Sequence, residues 1–184
     1  YKDTDLKLVN PKILEFETFF KIECIIKTYF GEIVKSYEIS KIDETINIYY
    51  KFLNFKRPLG ILRFGIISFE MSNWGELNIF TKNGGKEYEK FSVNKDVDFS
   101  KPVSSFVSSS MSFGSTNGIV KVQDNKKSLI FEWDKSKCAA APLISFKRLN
   151  EKRFFRILFS QTELDDTLKN HGKTLPFKLK ITKI

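Results

Sequence analysis

Hydrophobic and polar residues alternate along the first part of the chain. From Phe16 to Phe30, every second residue is Phe, Ile, Cys or Thr, and the residues between them include Lys21 and Glu23. Neighbouring side chains of an extended strand point to opposite faces, so this pattern gives one apolar face and one charged face. It predicts a long, half-buried β-strand over residues 13–30.

Similar patterns recur up to the last residue. They predict further strands over residues 32–40, 45–55, 61–71, 76–82, 87–93, 128–134, 143–149, 153–160 and 177–184. Segment 61–71 is almost continuously apolar, which is typical of a central strand covered on both faces. Residues 83–86 and 150–152 have the composition of hairpin turns. The only helical signal is a single turn over residues 161–169.

This spacing of short strands predicts an all-β fold, a large antiparallel β-sandwich of the supersandwich type with about ten to thirteen strands. Closure into a lipocalin-like barrel is the alternative architecture. We find no internal repeat and no linker, so residues 1–184 are expected to form a single domain. Because the chain opens at Tyr1 without an initiator Met, we expect it to be a fragment, a processed chain or the ordered part of a longer one.

The charge of the chain limits its partners. The formal net charge is +9, from 31 basic and 22 acidic residues. Nearly all of the basic residues are lysines that alternate with acids, whereas nucleic-acid sites favour clustered arginines. We therefore expect no nucleic-acid partner. No apolar run approaches the roughly 18 residues of a membrane span, so no membrane-spanning segment is predicted either.

Several kinds of catalytic site are excluded by composition. His171 is the only histidine, which rules out a catalytic triad and a site with several histidine ligands. Cys24 and Cys138 lack metal-binding spacing, and Cys24 is expected to be a small buried apolar residue. The acidic turn around Glu163 and Asp165 lacks the spacing of a calcium loop. We predict no catalytic residue, metal or cofactor, and a non-enzymatic role is favoured.

Four residues are candidates for binding a ligand. Glu70, Trp74 and Glu76 form an acidic and aromatic cluster around a predicted turn. Trp133 follows an apolar run and lies between two acids. The face of an indole ring can stack on a sugar. Paired carboxylates could act as acid and base in glycoside hydrolysis, but the turn predicted between them disfavours that role. Core packing is the competing role for both tryptophans.

One part of the chain resembles a known family. The elements are the Ser-rich strand 103–110, the glycine turn 114–118, the turn at 124–125 and the strand 129–133, with the hairpin at 83–85 upstream. Over residues 38–165 they look like the galactose-mutarotase-like β-supersandwich domains of sugar-processing enzymes. The resemblance implies an accessory domain that supports a carbohydrate-active enzyme. Mutarotase catalysis in that fold uses histidines with a carboxylate, so no catalytic residue can be carried over to this chain.

These observations predict a non-catalytic, carbohydrate-associated β-sandwich domain that binds a glycan or supports a neighbouring catalytic domain. The alternative function is that of a lipocalin-like barrel whose many phenylalanines line a cavity for a small apolar ligand. Coplanar exposed aromatic rings would favour the sugar, and an enclosed apolar cavity would favour the apolar ligand.

Overall fold

The computed structural model of the chain describes residues 8–55, 62–71, 73–93, 115–162 and 174–184. Within these ranges the chain forms twelve β-strands and no helix. The strands are β1 (Leu8–Glu15), β2 (Phe19–Thr28), β3 (Gly31–Ser40), β4 (Thr45–Leu53), β5 (Leu62–Glu70), β6 (Leu77–Thr81), β7 (Glu89–Val93), β8 (Ile119–Gln123), β9 (Ser128–Glu132), β10 (Ala141–Leu149), β11 (Lys152–Thr162) and β12 (Phe177–Lys183).

The strands form two antiparallel sheets. The large sheet has nine strands in the order β1-β2-β3-β4-β12-β9-β8-β6-β7, and the small sheet has three in the order β10-β11-β5. Both ends of the large sheet are edge strands among the described residues, so the fold is an open sandwich and not a closed barrel. The predicted all-β antiparallel sandwich is confirmed, and the strand number lies in the predicted range.

The core lies between the two sheets. On β4 and β12 of the large sheet, Ile48, Tyr50, Phe177 and Leu179 alternate with polar residues and are buried. The middle strand of the small sheet, β11, contributes phenylalanines that are fully covered. Six buried phenylalanines of the described residues supply much of the volume of this core. Alternation therefore decides which side of each strand faces the small sheet.

Local predictions from the sequence are mostly confirmed. The predicted turns at 83–86 and 150–152 join paired strands, β6 to β7 and β10 to β11. Cys24 is buried, as expected. The strand 103–110, residues 163–169 of the helical turn, and His171 lie outside the described residues.

Two strand predictions are wrong. Residues 13–30 do not form one strand, because a turn in which Phe16 N donates to Phe19 O separates β1 from β2. The apolar segment 61–71 is not a central strand, because β5 lies at the edge of the small sheet with Ile66 57% exposed. On β5, the exposed Ile66 shows that the second face of this segment is only partly covered.

One hydrogen bond joins the two sheets in the middle of the core. Gly65 N of β5 donates to the hydroxyl oxygen of Tyr50 on β4 at 3.2 Å, and the bond is buried. The pairing of β5 with β11 shifts register at this point, and Gly65 has a φ of +63°, which glycine adopts readily. The resulting bulge turns an N–H group of β5 toward the large sheet.

We expect Tyr50→Phe to lower the free energy of unfolding by about 1–3 kcal/mol, because Gly65 N would be left buried without an acceptor. The measurement is urea denaturation followed by circular dichroism. Tyr29→Phe is the control, because Tyr29 is 85% exposed. Equal stability of the two variants would show that the bond between the sheets contributes nothing.

Candidate functional site

The outer face of the large sheet, which points away from the small sheet, carries a groove that is lined by charged and polar side chains together with apolar surface. Its volume is about 990 Å³. Strands β2, β3, β4, β12 and β9 form its floor, and residues 117–119 and 134–138 form one end. Polar residues lie here because they occupy the strand positions that alternate with the core residues. We call this feature the outer groove.

Strand register brings the groove residues together from distant parts of the chain. One row across the sheet contains, in order, Lys21, Glu38, Asn47, Lys180 and Glu132. The adjacent row contains Glu23, Ser36, Tyr49 and Lys178. Opposite residues in an antiparallel pair lie about 4.5–5.5 Å apart at Cβ, so each row forms a continuous polar surface.

Tyr49 lies in the floor of the groove. Its hydroxyl donates a hydrogen bond to Glu38 Oε2 at 2.8 Å, and the ammonium group of Lys178 lies 5.0 Å from the centre of its ring. Burial and then the Glu38 carboxylate raise the pKa of Tyr49 to about 12. The phenol therefore stays neutral at physiological pH, and its ring is held in place from two sides.

Ion pairs connect neighbouring rows and strands. Lys21 Nζ lies 2.9 Å from Glu23 Oε2, and Lys180 Nζ lies 3.6 Å from Glu132 Oε2. The hydrogen bond to Glu23 raises the pKa of Lys21, so the amine is charged at neutral pH. These pairs hold long side chains along the groove walls.

Trp133, one of the predicted ligand residues, lies at the closed end of the groove. It is only 5% exposed, and its ring packs edge-on against Phe159 at 5.0 Å. Its indole Nε1 donates to Ala140 O at 3.1 Å. This tryptophan shapes the end wall mainly from within the core, and little of its ring can contact a ligand.

The other three predicted residues lie in and around the turn between β5 and β6. Glu70 is exposed and pairs with Lys152 at 3.8 Å, and Glu76 is also exposed. Trp74 is half-buried, with its ring 6.2 Å from that of Phe69. Arg153 donates to Trp74 O and secures the turn. This cluster is separate from the residues that line the outer groove, and its binding role remains a prediction.

The residues that line the outer groove, apart from Trp133, have no feature in the sequence that singles them out. Lys21, Glu23, Glu38, Tyr49 and Lys178 appear in the sequence as ordinary polar positions of alternating strands. One feature of the sequence could have indicated the site: three consecutive strands, β2 to β4, each have a polar face, and pairing in sequence order would place these faces side by side. The pairing of β4 with the distant β12 gave no local signal.

Other site types find no support in the described part of the chain. It contains no cluster of three or more His, Cys, Asp or Glu side chains suited to a metal ion. No helix in it has the length and apolar character needed to cross a membrane.

Comparisons with known proteins identify a fold. No family model matches the sequence, and no curated protein matches it. Among solved structures, α-N-acetylgalactosaminidase NagBb from Bifidobacterium bifidum in complex with GalNAc matches with a TM-score of 0.63 at 10% identity. The match covers 100% of this chain and 28% of that chain.

This chain covers a larger share of a second solved structure. A putative aldose 1-epimerase from Escherichia coli K12 matches with a TM-score of 0.53 at 11% identity, over 96% of this chain and 69% of that chain. These likenesses confirm the predicted galactose-mutarotase-like fold, and at such low identity they show the fold alone. The chain thus spans little more than a quarter of the glycosidase that it matches.

The end wall of the groove depends on Gly118. Its φ is +68°, its carbonyl oxygen accepts a hydrogen bond from Trp133 N at 2.9 Å, and an added Cβ would collide with Trp133 O. We expect Gly118→Ala to lower the free energy of unfolding by about 2–4 kcal/mol, through strain plus overpacking. Thermal and urea denaturation would measure this.

Gly84→Ala is the matched control for this prediction. Gly84 has a similar φ of +77°, but an added Cβ would meet nothing within 4 Å. It should cost about 1–2 kcal/mol from the left-handed backbone alone. If the two variants lose equal stability, the collision with Trp133 is not what makes Gly118 necessary.

Proposed function

We propose that this chain is a non-catalytic, carbohydrate-associated β-sandwich domain that binds a glycan in the outer groove. The observation that carries the proposal is a groove of about 990 Å³ with the Tyr49 ring in its floor and hydrogen-bonding groups along its walls. Ligand sites have volumes of about 300–1,000 Å³, and a few placed polar groups orient the ligand.

The chemistry of the groove suits a sugar better than an apolar ligand. A pyranose has hydroxyl groups around its rim and a less polar face, so it can stack on an aromatic ring while its rim is hydrogen-bonded. Tyr49 offers the ring, and Lys51 and Lys178 offer ammonium groups that can donate hydrogen bonds to sugar oxygens. The lipocalin-like alternative requires a closed barrel, whereas the large sheet is open, with edge strands at both ends among the described residues.

The fold supports the same proposal without deciding it. Two of the solved structures with this fold carry the names α-N-acetylgalactosaminidase and putative aldose 1-epimerase. Fold likeness alone does not carry a function from one protein to another, so the groove remains the main argument. Trp74 stays a predicted second platform for a sugar ring.

We expect Tyr49→Ala to weaken binding of an oligosaccharide by about tenfold, because the ring and its hydroxyl are both lost. The measurement is calorimetric or NMR titration with glycans found on a glycan array. Tyr29→Ala is the control, because Tyr29 is 85% exposed and outside the groove lining. An array without any binding, or equal affinity of both variants, would contradict glycan binding in this groove.

A second candidate function is support of a neighbouring catalytic domain. On the side of the large sheet that faces the small sheet, Phe20, Ile39 and Ile46 lie side by side on β2, β3 and β4. They are 38%, 36% and 37% exposed, and Ile13 of the edge strand is 75% exposed. We call these four residues the apolar strip. Contiguous exposed apolar side chains often mark an interaction surface.

The apolar strip is expected to bind a hydrophobic dye in the isolated chain. Replacing Phe20 and Ile39 with serine should reduce dye fluorescence at least about twofold, because the apolar surface is interrupted. Ile66→Ser is the control, since Ile66 is 57% exposed on β5, away from the strip. Unchanged fluorescence in the double variant, with folding verified by circular dichroism, would argue against a docking surface there.

A further inference from the structure

We infer that the ligand of the outer groove is an acidic saccharide, whose carboxylate or sulfate is bound beside Tyr49 by Lys51 and Lys178. This inference rests on the proposed glycan-binding function and specifies the chemistry of the glycan. Two observations support it. The carboxylates of the groove already have partners within the protein, and two lysines without such partners among the described residues lie next to Tyr49.

The carboxylates of the groove are already engaged within the protein. Glu23 and Glu132 pair with lysines at 2.9 and 3.6 Å. Glu38 accepts the Tyr49 hydroxyl at 2.8 Å. Asp134 accepts from Ser136 N at 2.9 Å and lies 3.6 Å from Lys137 Nζ. A neutral sugar would have to compete with these partners for its main hydrogen-bond acceptors.

The lysines of the groove are in excess. Among the described residues that line it, six are lysines and four are carboxylates. Lys51, Lys82 and Lys178 have no carboxylate within ion-pair distance among the described residues, whereas the other three lysines each have one. The chain as a whole carries a net charge of +9. The groove therefore presents positive charge that a ligand can neutralise.

Two of these lysines converge on Tyr49. Lys178 is the direct cross-strand partner of Tyr49, with its ammonium group 5.0 Å from the ring centre. Lys51 is two residues farther along β4 and therefore lies on the same face. On the other side, Ser36 is opposite Tyr49 on β3. Two lysines, an aromatic ring and a serine thus occupy neighbouring positions on the outer face of the sheet.

An acidic saccharide uses all of these groups together. Its anionic group can form charge-assisted hydrogen bonds with the lysines, which are stronger than neutral ones, while its sugar ring lies beside Tyr49, whose ring Lys178 already contacts. Lysine suits a carboxylate and a sulfate alike, since its ammonium group acts as a compact charge without a fixed fork geometry. The groove therefore recognises the anionic group on a sugar, whichever of the two groups it is.

The test measures binding of three tetrasaccharides to the purified chain by calorimetry. One is a hyaluronan tetrasaccharide, which carries carboxylates. The second is a chondroitin sulfate tetrasaccharide, which adds sulfates, and the third is the hyaluronan tetrasaccharide with its carboxylates reduced to alcohols. We expect both acidic ligands to bind at least about tenfold more tightly than the reduced one, and raising NaCl from about 50 to about 300 mM to weaken only the acidic ligands.

The variants assign the effect to the two lysines. Lys51→Gln with Lys178→Gln should weaken acidic ligands by about tenfold and leave the reduced ligand within about twofold, because only the charge is removed. Lys86→Gln with Lys126→Gln is the control, since it removes the same charge at exposed positions outside the groove lining. It should change affinity by less than about twofold.

The outcomes separate this inference from the proposed function. Equal binding of the acidic and reduced ligands would overturn the inference and leave glycan binding intact. Binding of none of these or of any other glycan would overturn both. Equal losses in the groove variant and its control would show general attraction to a basic protein and overturn the assignment. Tighter binding of a single-stranded oligonucleotide through Lys51 and Lys178 would replace the saccharide with nucleic acid.

Discussion

The packing of aromatic side chains between the two sheets is the constraint on which the rest of the structure depends. Phe64 of the small sheet lies against Tyr50 and Phe177 of the large sheet, with ring centres 5.5 and 4.6 Å apart. Each such ring removes a large apolar area from water, and the interior is packed too closely to admit an alternative arrangement easily. The bulge at Gly65 and its bond to Tyr50 fit the small sheet to this position.

This packing also determines where the functional surface lies. Once one face of the large sheet is committed to the core, every second residue of β2, β3, β4 and β12 must point to the opposite face. Within the groove, those residues are lysines, glutamates, Ser36 and Tyr49, together with the apolar Val34, so this part of the outer face can form hydrogen bonds. The core and the groove are thus two faces of the same strands. A substitution that shifted strand register by one residue would disrupt both.

Sequence reasoning located the elements better than the site. Trp74, Glu70 and Glu76 attracted attention because a tryptophan between acids is conspicuous within a few residues. The structure places that turn apart from the outer groove and buries Trp133. Lys21, Tyr49 and Lys178 are unremarkable one by one, and their meaning lies in being neighbours across three strands. The turn at residues 16–18 and the edge position of β5 were not predicted either. Side-chain alternation does not show which strands are neighbours in a sheet.

The sequence by itself determined the strand content, most hairpins and the apolar face of each strand, because side-chain alternation and turn composition act over a few residues. Only the tertiary structure decided the order of the strands, and above all the insertion of β12 between β4 and β9. That insertion brings Lys178 beside Tyr49 and Lys180 beside Glu132. Pairing between such distant segments is selected by packing of the whole core, so no local pattern records it.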